Sequence, residues 1–207
     1  MKNKIDIDNW VRKEHYKFFK TYDEPFWGIT TNVDCTNAYR KSKELNIPFF
    51  IYYLYLSLKS VNQIEEFKYR IEGEDVYCYD VIHAAATVLR ENGTFGFSFI
   101  KYNDNLPPFT ENAKQEIERV KNDNRLMPAY SGENVIHYTT VPWISFSGVS
   151  HPRRFSLKDS VPKIAFGKII EENSRKLLPI AIHAHHALVD GLHVGKYLEL
   201  FQKLLDE

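Results

Sequence analysis

The chain has 207 residues, enough to bury a full-sized core without staples, and its 27 Lys and Arg are matched by 27 Asp and Glu. A zero net charge sets up no field to draw in a nucleic-acid backbone or an anionic membrane, so neither is expected as a partner. Cys35 and Cys78 lack CxxC spacing and the opening segment MKNKIDIDNW has no apolar signal-type stretch, which points to the cytoplasm, while the apolar run Ile47 to Leu58 is far short of the ~20 residues a membrane span needs.

No repeat, low-complexity tract or Gly/Ser linker divides the sequence, so one domain is expected over residues 1–207. Asp8 is a good N-cap for a first helix through NWVRKEHYKFFKTY, where Trp10, Tyr16 and Phe19 recur near helical spacing, and Pro25 stops it. FWGITTNVDCT alternates as a strand, Thr36 caps the polar helix NAYRKSKELN, and Pro48 opens the apolar helix FFIYYLYLSLKSVNQI in the first-turn position where a missing N–H costs nothing. Short β-rich pieces follow: KYRI, a turn at Glu72-Gly73, VYCYD, HAAATVLR and TFGFSFIKY. Thr110 to Asn122 reads as a surface helix, ENVIHYTTVPWISFSG, KIAFGKII and LLPIAIHAHH as strands, and LHVGKYLELFQKLL as an amphipathic helix. Strands mixed with long helices predict an α/β two-layer sandwich with a mixed sheet. The 14 Phe and 13 Tyr are spread along the chain, most of them for the core and a minority for a pocket that takes an apolar, partly aromatic ligand.

The chemistry concentrates in HAHHALVDG. Alternation in the last strand places Ile180, Ile182, Ala184 and His186 on one face and His183 and His185 on the other, so His186 lies at the strand's end beside apolar neighbours. Partial desolvation favours a neutral imidazole, which can take a proton from a hydroxyl. Asp190, just before Gly191, suits a tight turn into the last helix; on spacing alone it either orients the histidine or serves the turn. A zinc site is the rival reading, because His183, His185, His186, Asp190 and His193 fall within eleven residues, but the alternation sends His183 and His185 away from His186.

HHALVDGLHVGKY resembles the HHAVCDGFHVGR-type signature of the chloramphenicol acetyltransferases, and three further matches occur in that family's order. NWVRKEHYKFF is similar to its W-x-R-[KR]-E-H-F segment, EEFKYRI and ENGTF to its F-R-x-[AR]-I and ETF pieces, and VPWISFSG to its P-W-[IV]-x-F-x-S strand, so the resemblance runs from residue 5 to about 205. It implies that fold and an acetyl-CoA-dependent O-acetyltransferase without a metal, acting on a small hydroxylated acceptor such as chloramphenicol. His186 would be the general base, with direct attack on the thioester and no acyl-enzyme. Asp190 would pair with Arg12 to hold the active-site loop; Phe18, Phe19 and Phe95 would line the acceptor pocket, where core packing is the alternative for each. A coenzyme's phosphates call for basic residues, and on charge alone Lys168, with Arg153 and Arg154, are the candidates to lie near them. The dihydrolipoyl acyltransferase catalytic domains share the signature, but they carry lipoyl and peripheral-binding modules that do not precede the first helix here. Both relatives imply a homotrimer with sites at subunit interfaces.

The sequence departs from the family pattern at Gly148, where the oxyanion-stabilising serine is expected, at Ala165 and at Ile169 beside Lys168. Ser147 is the adjacent candidate donor for the oxyanion. Two further readings follow: an acetyltransferase for another hydroxylated acceptor, and a catalytically silent member of the fold that binds a ligand.

Overall fold

The computed structural model describes residues 1–127, 132–153 and 159–207. Its main sheet runs in the order β2 (Phe26–Asp34), β10 (Arg175–His185), β8 (Lys163–Phe166), β7 (Val135–Thr140), β5 (His83–Leu89), β6 (Phe95–Phe97), with β9 (Ile170–Glu172) beside the start of β10. The sheet is mixed: β10 is antiparallel to β2 and β8, whereas β7 is parallel to both β5 and β8. A small antiparallel sheet, β1 (Lys2–Lys4), β4 (Asp75–Tyr79) and β3 (Tyr69–Glu72), stands apart from it.

Strand alternation gives the main sheet two unlike faces. One presents Ile136, Tyr138, Ile164, Phe166, Ile180, Ile182 and Ala184, all buried under helices α2 (Thr36–Glu44), α3 (Phe49–Gln63) and α5 (Gly191–Asp206). Helix α3 is apolar almost all the way round because it is the central member of this layer, with Ile51 to Leu58 buried continuously. Of its buried serines, Ser57 bonds the hydroxyls of Tyr138 at 2.9 Å and Tyr197 at 2.7 Å, and Ser60 donates back to Leu56 O at 3.0 Å, so both hydroxyls are satisfied inside the layer. On the other face the row Gly28, His183, Lys163, His137, Ala85 crosses five strands. Gly28 is required there: a Cβ at that position would lie 2.5 Å from the His183 ring.

The expected α/β sandwich with a mixed sheet is the observed architecture, and the differences in its parts have local causes. Helix α1 spans only Lys13–Phe19, because Asp6 accepts the Asp8 N–H and the Asn9 amide and holds the preceding residues in turns. The start of α2 is capped by Asp34, whose carboxylate takes the Thr36 N–H at 2.9 Å, while the Thr36 hydroxyl is occupied by the Lys176 N–H. The strand expected through VPWISFSG ends at Thr140, since Pro142 has no N–H for the ladder. Helix α4 (Leu106–Lys121) starts earlier than expected, with Pro107 and Pro108 in its first turn. Strand β1 was not anticipated; three charged and polar residues show no alternation that would mark it.

Candidate active site

Strand β10 ends at His185, so His186 stands one residue beyond the ladder and leads the turn into α5. Its N–H donates to Pro25 O at 2.8 Å, which ties the turn to the segment before β2. The half-buried imidazole stacks on Phe19, with ring centroids 4.1 Å apart, and tilts against Trp27 at 5.2 Å. Nδ1 is shut away from solvent without a hydrogen-bond partner among the described residues, which leaves Nε2 as the nitrogen able to meet another molecule.

The turn itself is rigidly held. Ala187, Leu188 and Val189 are all buried, the N–H groups of Leu188 and Val189 return to His185 O, and the Trp27 indole donates to Val189 O at 2.9 Å. Arg12, which is 8% exposed, donates to Asp190 Oδ2 at 2.7 Å and reaches His186 O at 3.4 Å. Asp190 also caps α5 by accepting the Leu192 N–H at 3.1 Å. Burial alone would raise the Asp190 carboxyl, but the Arg12 bond and charge, with the Leu192 N–H, act against it and the group is held below its ordinary value. The carboxylate is therefore charged when it grips Arg12.

The other expected site residues distribute unevenly. Phe18 packs edge-on to Phe19 and is 58% exposed, so it adjoins the His186 ring's partner. Phe95 lies on β6, four strand spacings from β10, or roughly 19 Å across the sheet at the usual interstrand distance. Lys168 is exposed and lines a cavity of about 800 Å³ whose wall includes Phe49, Phe50, Tyr53 and Trp143, with Lys121 and Lys176 also on its lining. His186 does not line that cavity. Arg153 is turned elsewhere: it pairs with Glu24 and covers the Phe26 ring at 3.8 Å, lining a smaller cavity of about 280 Å³ beside His185. Arg154 lies outside the described residues. Ser147 is exposed, borders Thr30, Thr31 and Asn32, and its hydroxyl has no hydrogen bond among the described residues. Gly148 is exposed too, and a Cβ there would meet nothing within 4 Å. Ala165 is buried opposite Thr139 and Ala181 in the sheet.

Three residues of the site were missed in the sequence. In the sequence Trp27 and Pro25 mark only a strand and a helix stop, though they hold the turn from β2, and His193 stands out only as a zinc ligand. Among the described residues no three His, Cys, Asp or Glu side chains converge on a position for a metal ion, and no helix is long and apolar enough to cross a membrane.

Comparison with solved structures defines the class. A chloramphenicol acetyltransferase superposes with a TM-score of 0.90 at 30% identity, covering 99% of this chain and 100% of that one. A probable dihydrolipoamide acetyltransferase from Listeria monocytogenes shares the fold at a TM-score of 0.67 and 13% identity, over 93% of this chain and 88% of its own. The chain is an acyltransferase of this fold. Chloramphenicol acetyltransferase 3 of Escherichia coli is 28% identical over 97% of this chain and 95% of its own length. The sequence model of the chloramphenicol acetyltransferase family matches residues 1–202, and the chain belongs to that family.

Proposed function

We propose that this protein transfers the acetyl group of acetyl-CoA to a hydroxyl of chloramphenicol or a similar small molecule, with His186 as general base, in sites completed between the subunits of a homotrimer. The observation that carries the reading is the presentation of His186: an imidazole outside the strand ladder, clamped by Phe19 and Trp27, on a turn whose every backbone neighbour is buried or bonded. Acting at Nε2 requires the ring proton on Nδ1. His186 removes the acceptor's hydroxyl proton as the oxygen attacks the thioester carbonyl, and the proton then leaves with the departing thiol. Holding both reactants beside a fixed base supplies much of the acceleration, which is the role of the locked turn. Arg12 and Asp190 keep the imidazole where it is and take no part in the proton transfer.

The 800 Å³ cavity suits the coenzyme: an apolar aromatic wall for its arm, and Lys121 and Lys168 for its phosphates, Lys176 being paired with Glu171 on the same lining. Because His186 is not on that cavity's lining, the reading needs the imidazole of one subunit to face the cavity of the next. Exposed Phe18, Trp143 and Ile144 are apolar surface that such an interface would cover. The same family relation supports chloramphenicol as acceptor, since the E. coli relative bears that name. Gly148, Ala165 and Ile169 favour, as the second reading, a different hydroxylated acceptor for the same chemistry.

Purified protein mixed with acetyl-CoA, chloramphenicol and a panel of other alcohols, with the released thiol trapped, tests the reading. Thiol release with at least one acceptor is expected, falling by about 10²–10⁴-fold in His186→Ala. No release above the His186→Ala background with any acceptor would overturn it.

A further inference from the structure

Asp190 is anchored on a second side that the reaction as described does not use. His193 occupies the third position of α5, where Glu or Gln ordinarily completes a capping box. It is 6% exposed, and its Nδ1 accepts the Asp190 backbone N–H at 3.0 Å. That bond places the ring proton on Nε2, which lies 3.3 Å from Glu66 Oε1 on the 3-10 turn Glu65–Lys68. A series Arg12, Asp190, His193, Glu66 thus ties together three segments far apart in sequence.

We propose that His193 is a positioning residue for the acetyl transfer: bridging the Asp190 N–H and the Glu66 carboxylate, it fixes the far end of the five-residue turn that carries His186. The inference rests on His186 being the base. Only Ala187, Leu188 and Val189 separate the two anchors, and all three are buried, so a displacement of Asp190 has no slack in which to dissipate before it reaches the imidazole. A misplacement of about 1 Å in a reacting group can lower a rate ~10²-fold. Burial holds the His193 imidazole below its ordinary protonation range, against the pull of Glu66 and Asp190, which agrees with a neutral ring that accepts at Nδ1 and faces Glu66 with its other nitrogen. Histidine meets a requirement that the usual Glu at this position would not: a second carboxylate would stand against Glu66, unpaired and buried.

Glutamine can accept the Asp190 N–H with its carbonyl and turn its amide toward Glu66, whereas leucine offers neither contact. His193→Leu is expected to lower kcat about 10- to 100-fold with the acetyl-CoA KM changed less than about threefold, and His193→Gln to stay within about threefold of the parent in both. Glu66→Leu, which leaves the helix cap untouched, is expected to lower kcat in the same direction by about fivefold and serves if His193→Leu does not fold. Amide hydrogen exchange across residues 186–190 should quicken about tenfold in His193→Leu and Glu66→Leu and return to the parent rate in His193→Gln. Parent-like kcat and exchange in the leucine variants, or a His193→Gln as impaired as His193→Leu, would overturn the proposal. If the parent protein acetylates nothing, the catalytic reading fails while the exchange rates still decide whether His193 holds the turn.

Discussion

The two faces of the main sheet are built by different rules. The helix face is an apolar layer in which each residue is replaceable by another of like size, and its Ser57–Tyr138–Tyr197 trio of hydroxyls is closed on itself. The opposite face carries His183, Lys163 and His137 in one row, with Lys163 bonded to Asp159, His183 edge-on to His151 at 5.1 Å, and His185 further along β10. Folding stability comes chiefly from the first face, whereas the second concentrates groups whose charge depends on what surrounds them. His186 leaves β10 where the two meet: its ring follows the apolar parity of Ala184, while its neighbour His185 belongs to the polar side.

Substitutions on the helix face should have the largest effect. Ile164→Ala, at a fully buried position between β10 and β7, should cost about 2–5 kcal/mol in urea unfolding, and a cost near zero would show that the helices do not pack as described. On the opposite face Gly28→Ala should cost about 1–3 kcal/mol, because the new methyl meets the His183 ring. Pairing it with His183→Ala should recover most of that loss, and additive losses would mean the ring is not what Gly28 accommodates.

Acid should act mainly through the histidine side. Burial, helped by the Arg153 charge, lowers His185 from 6.5 to about 4, and burial beside His183 does the same to His151. Because the folded values are depressed, the unfolded chain takes up protons first as pH falls; this part of the stability is complete above pH 6.5 and is lost between 6.5 and 4. Melting temperatures at pH 7.5, 6 and 5 should therefore fall less for His185→Gln than for the parent, and parallel curves would contradict the buried neutral state. The smallest effect is expected at Ser147. An oxyanion donor has to be preorganised, and this hydroxyl is exposed with nothing described holding it, so Ser147→Ala should lower kcat less than about threefold; a loss of 10²–10³ would assign it the oxyanion.

Legibility in the sequence divides along the same line. The helix face could be read because its apolar residues keep the strand and helix periods, as Ile180, Ile182 and Ala184 do in β10 and Tyr197, Phe201 and Leu204 do in α5. The departure of His186 from the direction of His183 and His185 follows from the same alternation. Periodicity does not say which strands become neighbours, so it could not show that Phe95 lies across the sheet from His186, nor that Trp27 and Pro25 stand beside it. Arg12 and Asp190 are separated by 178 positions, and their bond is visible in the sequence only through the family resemblance. His193 was hidden for another reason: its partners are a backbone N–H and a residue on a short 3-10 turn, neither of which leaves a spacing pattern.

Subunit mixing decides whether the imidazole and the proposed coenzyme cavity come together from different subunits. His186→Ala and Lys168→Glu, the latter reversing a charge on the cavity lining, should each lose most of the activity alone. Reassembled together in equal amounts, they should regain roughly a quarter of the parent acetyltransferase activity, because each site draws its histidine from one subunit and its cavity from the neighbour. Mixed oligomers that form and remain without activity would instead place both groups on the same chain.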